Sequence, residues 1–81
     1  MKVEIYSKSN CPFCEKAKNW FKSHGYEYTE HRMDNQEERL AFYQKVPGAR
    51  SVPQIFIDDK LIGSWNQFEA VSEMFVKKKG G

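Results

Sequence analysis

Ser9-Asn10-Cys11-Pro12-Phe13-Cys14 follows a short apolar run and precedes a helical pattern, and it holds both cysteines of the 81-residue chain. The context reads as strand, tight turn and helix, with the two sulfurs at the first helical turn. Backbone N–H groups there have no intrahelical partner, and the helix dipole adds partial positive charge. A thiolate is stabilised in such a place, and the thiolate is the nucleophile of disulfide chemistry. Pro12 fits the first turn, where its missing N–H would have been unpaired anyway. The spacing lets the second sulfur reach the first, so a mixed disulfide at Cys11 can be resolved by Cys14.

Other readings of the pair are weaker. A staple across so short a loop removes little chain entropy. A zinc site needs about four ligands, and the only histidines, His24 and His31, fall on a helix end and a strand expected at the sheet edge. Two unrelated buried thiols remain open on spacing alone. The strand-to-helix context favours redox chemistry.

Working outward, Lys2 to Tyr6 is a β-prone segment with Val3 and Ile5 on one face. Lys8, on the loop into the cysteines, reads equally as a solvated lysine or as a cation beside the thiolate or a ligand carboxylate. Phe13, Ala17, Trp20 and Phe21 make one helical face. His24 suits the negative end of that helix, and Gly25 supplies its stop. Tyr26 to His31 alternates as a second strand. Asp34 is the expected cap of a second helix, with Glu37 completing the capping box and Leu40, Tyr43 and Val46 inward, until Pro47-Gly48 ends it. Gln54 to Ile57 has buried-strand composition, and Asp58-Asp59 turns it into Lys60-Leu61-Ile62 as a hairpin. Asn66 and Glu69 have the spacing of another N-cap, with Phe68, Val71 and Phe75 behind it.

The order is βαβαββα, an α/β fold with a four-stranded mixed sheet and three helices. The first two strands are expected to be parallel, and the hairpin antiparallel. Residues 1–81 read as a single domain with a frayed tail at 77–81. The formal net charge of +2 owes three positive charges to Lys77, Lys78 and Lys79, so nucleic-acid binding has little support. No apolar run approaches ~18 residues and no signal pattern opens the chain, so a soluble cytoplasmic protein without membrane contact is expected.

Three motifs taken together resemble the glutaredoxins of the thioredoxin-fold superfamily: Cys11-Pro12-Phe13-Cys14, Gly48-Ala49-Arg50-Ser51-Val52-Pro53, and Ile62-Gly63-Ser64 before the last helix. The resemblance runs from Val3 to about Phe75. It implies that Cys11 attacks a disulfide and Cys14 resolves it, with no bound cofactor and glutathione as reducing co-substrate. It also implies a cis Pro53 facing the cysteines, with the Val52 backbone free to pair with an extended ligand. By the same analogy the glutathione surface comprises Lys8, Phe13, Arg39, Ser51, Val52, Pro53, Gly63, Ser64, Asn66 and Gln67. Lys8 and Arg39 would meet the glycine carboxylate, and the start of the last helix the γ-glutamyl end.

The chain departs from the family in three places. Gly63-Ser64 replaces a Gly-Gly pair, Asn66 and Gln67 stand where an acid is usual, and Phe13 replaces the common tyrosine. The family's partners would be disulfide-bonded or glutathionylated proteins, for a monomer. An alternative is a redoxin reduced by a flavoprotein reductase and serving ribonucleotide reductase. A non-enzymatic iron–sulfur or metal-binding module is a further alternative, which the rigid Pro12 and the paired thiols oppose.

Overall fold

A computed structural model describes residues 2–49 and 51–75; Arg50 of the second motif and the lysine tail lie outside them. The elements run β1 (Val3–Ser7), α1 (Pro12–Ser23), β2 (Thr29–Arg32), α2 (Gln36–Lys45), β3 (Gln54–Ile57), β4 (Lys60–Gly63) and α3 (Trp65–Val71), with a closing 3-10 turn at Ser72–Phe75. The sheet order is β2-β1-β3-β4. β2 lies parallel to β1, while β3 is antiparallel to both β1 and β4. This is the mixed four-stranded α/β sheet that the sequence predicts. Among the described residues no helix is long and apolar enough to cross a membrane.

Alternation along the central strands separates two cores. Val3 and Ile5 of β1 and Ile55 and Ile57 of β3 face Ala17, Phe21, Trp65 and Phe68 of α1 and α3. Phe21 and Phe68 are completely buried, and their rings are 4.8 Å apart. Burying such a ring stabilises by roughly 1.5–3 kcal/mol, and this face holds the larger cluster of buried side chains. On the other face Tyr6 and Phe56 pack against Met33, Phe42 and Ala49, with Tyr43 and Val46 at the margin. Asp58 (φ 51°) and Asp59 (φ 68°) both take left-handed conformations in a two-residue loop, the geometry that suits the twist of a hairpin.

Four local expectations are corrected. β2 begins at Thr29 rather than Tyr26. Tyr26 donates its N–H to Phe21 O and its hydroxyl to Phe75 O, so it seals the end of α1 before the chain joins the sheet. The cap of α2 is Asn35, whose Oδ1 accepts the Glu37 N–H at 2.7 Å, because Asp34 is engaged elsewhere. Phe42 is the buried residue of α2, while Leu40 is 51% exposed. The cap of α3 is Ser64 rather than Asn66: Gln67, three residues on, turns back so that its Oε1 accepts the Ser64 N–H at 2.9 Å.

Candidate active site

Cys11 is the N-cap of α1, and its Sγ accepts the Cys14 N–H at 3.2 Å. The two cysteines form a disulfide with a Cα–Cα distance of 5.2 Å. Cys14 has no exposed surface, whereas Cys11 keeps 8% and borders a surface opening with Asn10, Pro12 and Glu15, so Cys11 is the more reachable of the two. An orphan amide and the positive end of a twelve-residue helix both point at that sulfur. Each favours the thiolate over the thiol once the pair is reduced.

Two segments frame the sulfur. The Val52-Pro53 peptide is cis, as expected, and Val52 O lies 3.8 Å from Cys11 Sγ. Beside it opens a cleft of about 260 Å³ lined by Phe13, Ser51, Val52, Pro53, Ser64, Trp65 and Asn66. Six of the residues predicted for the ligand surface thus come together. Trp65 was missed, because a cap expected at Asn66 leaves it outside the helix and its inward stripe, whereas the cap at Ser64 makes it the first helical residue. Gly63 is buried behind the rim, and a Cβ there would strike the Gln67 side chain. Gln67 is therefore held against the strand by its own hydrogen bond rather than lining the cleft. Lys8, on the loop before the cysteines, is exposed and does not line the cleft. Arg39, on α2, donates from Nη1 to Met33 O at 2.7 Å and does not line the cleft.

The loop carrying Lys8 and Asn10 is tied down from a distance. The Ser9 N–H donates to Asp34 Oδ1 at 2.6 Å, and Arg32 bonds both Ser9 Oγ and the Asp34 carboxylate. The Arg32 guanidinium, followed by Ser9, holds the Asp34 carboxyl down at about 2. Nothing in the local sequence announces this contact, which spans 25 residues. A second cluster stands behind α1. Lys18 Nζ lies 2.6 Å from Glu15 and 3.0 Å from Glu30, and Ser7 Oγ donates to Glu30. Burial works to raise the Glu30 carboxyl, but the Ser7 and Lys18 contacts outweigh it and set it below the usual range. The Glu15 bond leads in raising Lys18.

A fold of this order, with a reachable sulfur capping α1 and a cis proline across from it, matches known proteins throughout. The glutaredoxin family model aligns with residues 3–62. The chain belongs to the glutaredoxin family. It is 44% identical over 71 residues to a probable glutaredoxin of Synechocystis, covering 86% of this chain and 81% of that one. It is 38% identical over 69 residues to glutaredoxin 3 of Escherichia coli, covering 85% and 83%. Among solved structures, glutaredoxin 1 of Francisella tularensis, crystallised with cacodylate, superposes with a TM-score of 0.88 at 33% identity over 95% of this chain and 98% of that one. A buckwheat glutaredoxin–glutathione complex gives 0.78 at 26% identity, over 90% and 69%. Glutaredoxins are thiol–disulfide oxidoreductases, and that activity is this chain's.

Proposed function

We propose that this glutaredoxin works as a dithiol reductant of protein disulfides and glutathione mixed disulfides, with Cys11 as nucleophile, Cys14 as resolving thiol and glutathione as electron donor. The observation that carries the assignment is the contrast between the cysteines: Cys11 borders a surface opening and its Sγ accepts an amide hydrogen bond, while Cys14 is fully buried. In the first step the Cys11 thiolate attacks one substrate sulfur. The S–S bond breaks, and the other substrate sulfur leaves as a thiolate and takes up a proton. Cys14 then loses its proton and attacks Cys11, forming the Cys11–Cys14 disulfide and releasing the second substrate thiol. Two electrons have passed from protein to substrate. Two glutathione molecules restore the dithiol and leave as their disulfide.

Glutathione would lie in the cleft against Phe13, Ser51, Val52, Pro53, Ser64 and Asn66. Among the described residues the Val52 N–H has no hydrogen-bond partner, which suits pairing with an extended ligand. Lys8 and Arg39 would serve the glycine carboxylate, and Gly63 and Gln67 would set the cleft wall from behind. We place this activity in the cytoplasm, where thiols are kept reduced, and in a monomer with no resident cofactor. The lining of the cleft holds no carboxylate, which favours one rival donor, a flavoprotein reductase feeding a ribonucleotide-reductase-type target. Comparing reduction by glutathione with reduction by a thioredoxin reductase separates the two.

Serine substitutions test the roles. Cys11→Ser abolishes turnover of every substrate. Cys14→Ser keeps glutathione-dependent removal of glutathione from a peptide and loses reduction of protein disulfides. A Cys14→Ser variant as inactive as Cys11→Ser on a glutathionylated peptide refutes the assignment.

A further inference from the structure

The surface around Cys11 is electrostatically two-sided. On one side lie Asn10, Pro12 and Glu15, and the Glu15 carboxylate is held by Lys18 at 2.6 Å. On the other side the cleft contains aromatic, aliphatic, hydroxyl and amide groups but no carboxylate. At its rim Phe13 is 48% exposed, and Lys16 Nζ stands over that ring, 5.2 Å from its centroid. Lys16 is exposed and has no acidic partner among the described residues, and the same holds for Lys8. The ring favours this placement of the cation, because an ammonium over an aromatic face is attracted by the ring quadrupole.

We infer that the Phe13–Lys16 rim is a docking strip for the acidic flank of a polypeptide disulfide, with an Asp or Glu near the substrate's reacting cysteine meeting Lys16. The inference builds on the role proposed above for Cys11 and names the substrate class that this sulfur prefers. Lys16 is one helical turn beyond Phe13, so it meets a residue flanking the substrate cysteine rather than the cysteine's own backbone. The absence of a carboxylate in the cleft removes the repulsion that an acidic segment would otherwise meet. A basic flank laid along this rim finds the reverse: an unpaired cation, and no carboxylate in the cleft to offset it.

The experiment uses pre-reduced protein in single turnovers, so it needs no glutathione. Symmetrical disulfides of one short peptide carry Glu, Gln or Lys on either side of the cysteine, and acid-quenched mixtures are separated by chromatography. The protein's two thiols become a disulfide as the peptide disulfide becomes two thiols, so electrons and protons balance. The quantity read is the ratio of the rate with the Glu peptide to that with the Lys peptide. Comparing the ratio between variants cancels the peptides' own reactivity and any change in Cys11 itself.

Lys16→Gln should lower the ratio about two- to fivefold at low ionic strength, the range open to an exposed charge pair. Raising the salt to about 1 M, where the screening length is roughly 3 Å, should erase the difference. Lys22→Gln removes the same net charge from the exposed far end of α1 and should leave the ratio near that of the unaltered protein. Equal ratios for the unaltered protein and Lys16→Gln, or equal losses for Lys16→Gln and Lys22→Gln, overturn the inference. Failure of glutathione to sustain turnover on all three peptides would count against the donor assignment instead, since the single-turnover ratio does not involve glutathione.

Discussion

Asn66→Asp puts a carboxylate into the cleft at the second position of α3, where a bound glutathione would bring its ammonium group. Asn66 is exposed and lines the cleft. Its neighbour Gln67 is unsuited to the experiment because its amide already accepts the Ser64 N–H at 2.9 Å. Turning a neutral hydrogen-bond partner into an ionised one roughly doubles the strength of the bond. Solvent at an exposed site limits the gain to about 0.5–1 kcal/mol, which corresponds to a roughly two- to fivefold lower Michaelis constant for glutathione. The maximal rate should change little, since the contact is remote from the sulfur exchange. A carboxylate in the first turn of a helix is also favourable to the fold, so the unfolding midpoint should not fall. The assay varies glutathione at a fixed concentration of glutathionylated peptide, with glutathione reductase and NADPH reporting the oxidised product. High salt should shrink the gain. An unchanged Michaelis constant in a folded variant refutes the placement of the γ-glutamyl end and favours the reductase-coupled alternative. The same charge should also lower the preference for acidic peptides, because it ends the cleft's freedom from carboxylates.

Gln67→Ala removes the hydrogen bond that caps α3 and should lower stability by about 0.5–2 kcal/mol, read as a lower urea midpoint with little change in glutathione affinity. Asp34→Asn tests the tie to the active-site loop. The folded carboxyl sits at about 2 against an ordinary 3.8, so its contribution is present above pH ~4 and lost as pH falls through the folded value. The unaltered protein should therefore outlast Asp34→Asn in urea at neutral pH, with the gap closing toward pH ~2; a pH-independent gap would refute the linkage. Phe68→Ala empties a fully buried position between α1 and the sheet. It should cost about 3–5 kcal/mol, a large share of the ~5–15 kcal/mol available to a small domain, and a midpoint shift worth less than about 1 kcal/mol would refute the packing account.

Periodicity and turn chemistry made the element order legible, and the cysteine spacing made the redox centre legible. What stayed hidden depends on choices between near-equal local options. Asn35 and Asp34 are both competent caps, and the tertiary demand of Ser9 and Arg32 for Asp34 leaves the cap to Asn35. Ser64 and Asn66 compete in the same way, and Gln67 settles it by reaching back to Ser64. Tyr26 and Tyr28 alternate like strand residues, yet the parallel register begins with Glu4 opposite Thr29, leaving both tyrosines to cover the core's edge. Leu40 and Phe42 differ by a rotation of the helix that only the sheet face opposite can choose. In the site, the residues contiguous with Pro53 and Gly63 were readable, whereas Trp65 and the Ser9–Asp34 contact required the fold.

The two faces of the sheet are covered in different ways. The backbones of α1 and α3 come close to the strands and to each other, while that of α2 approaches no other element so nearly. α2 is held at a distance by rings: Phe42 lies 4.5 Å from Tyr6 and 6.5 Å from Phe56. A helix attached mainly through side chains should behave as a low-stability unit that opens at a fraction of the global free energy. Its amides should exchange with deuterium earlier than those of α1. The two sulfurs and the cleft lining come from α1, the segment just before β3 and the start of α3, so transient opening of α2 should leave the sulfur exchange assembled and disturb only the proposed Arg39 contact.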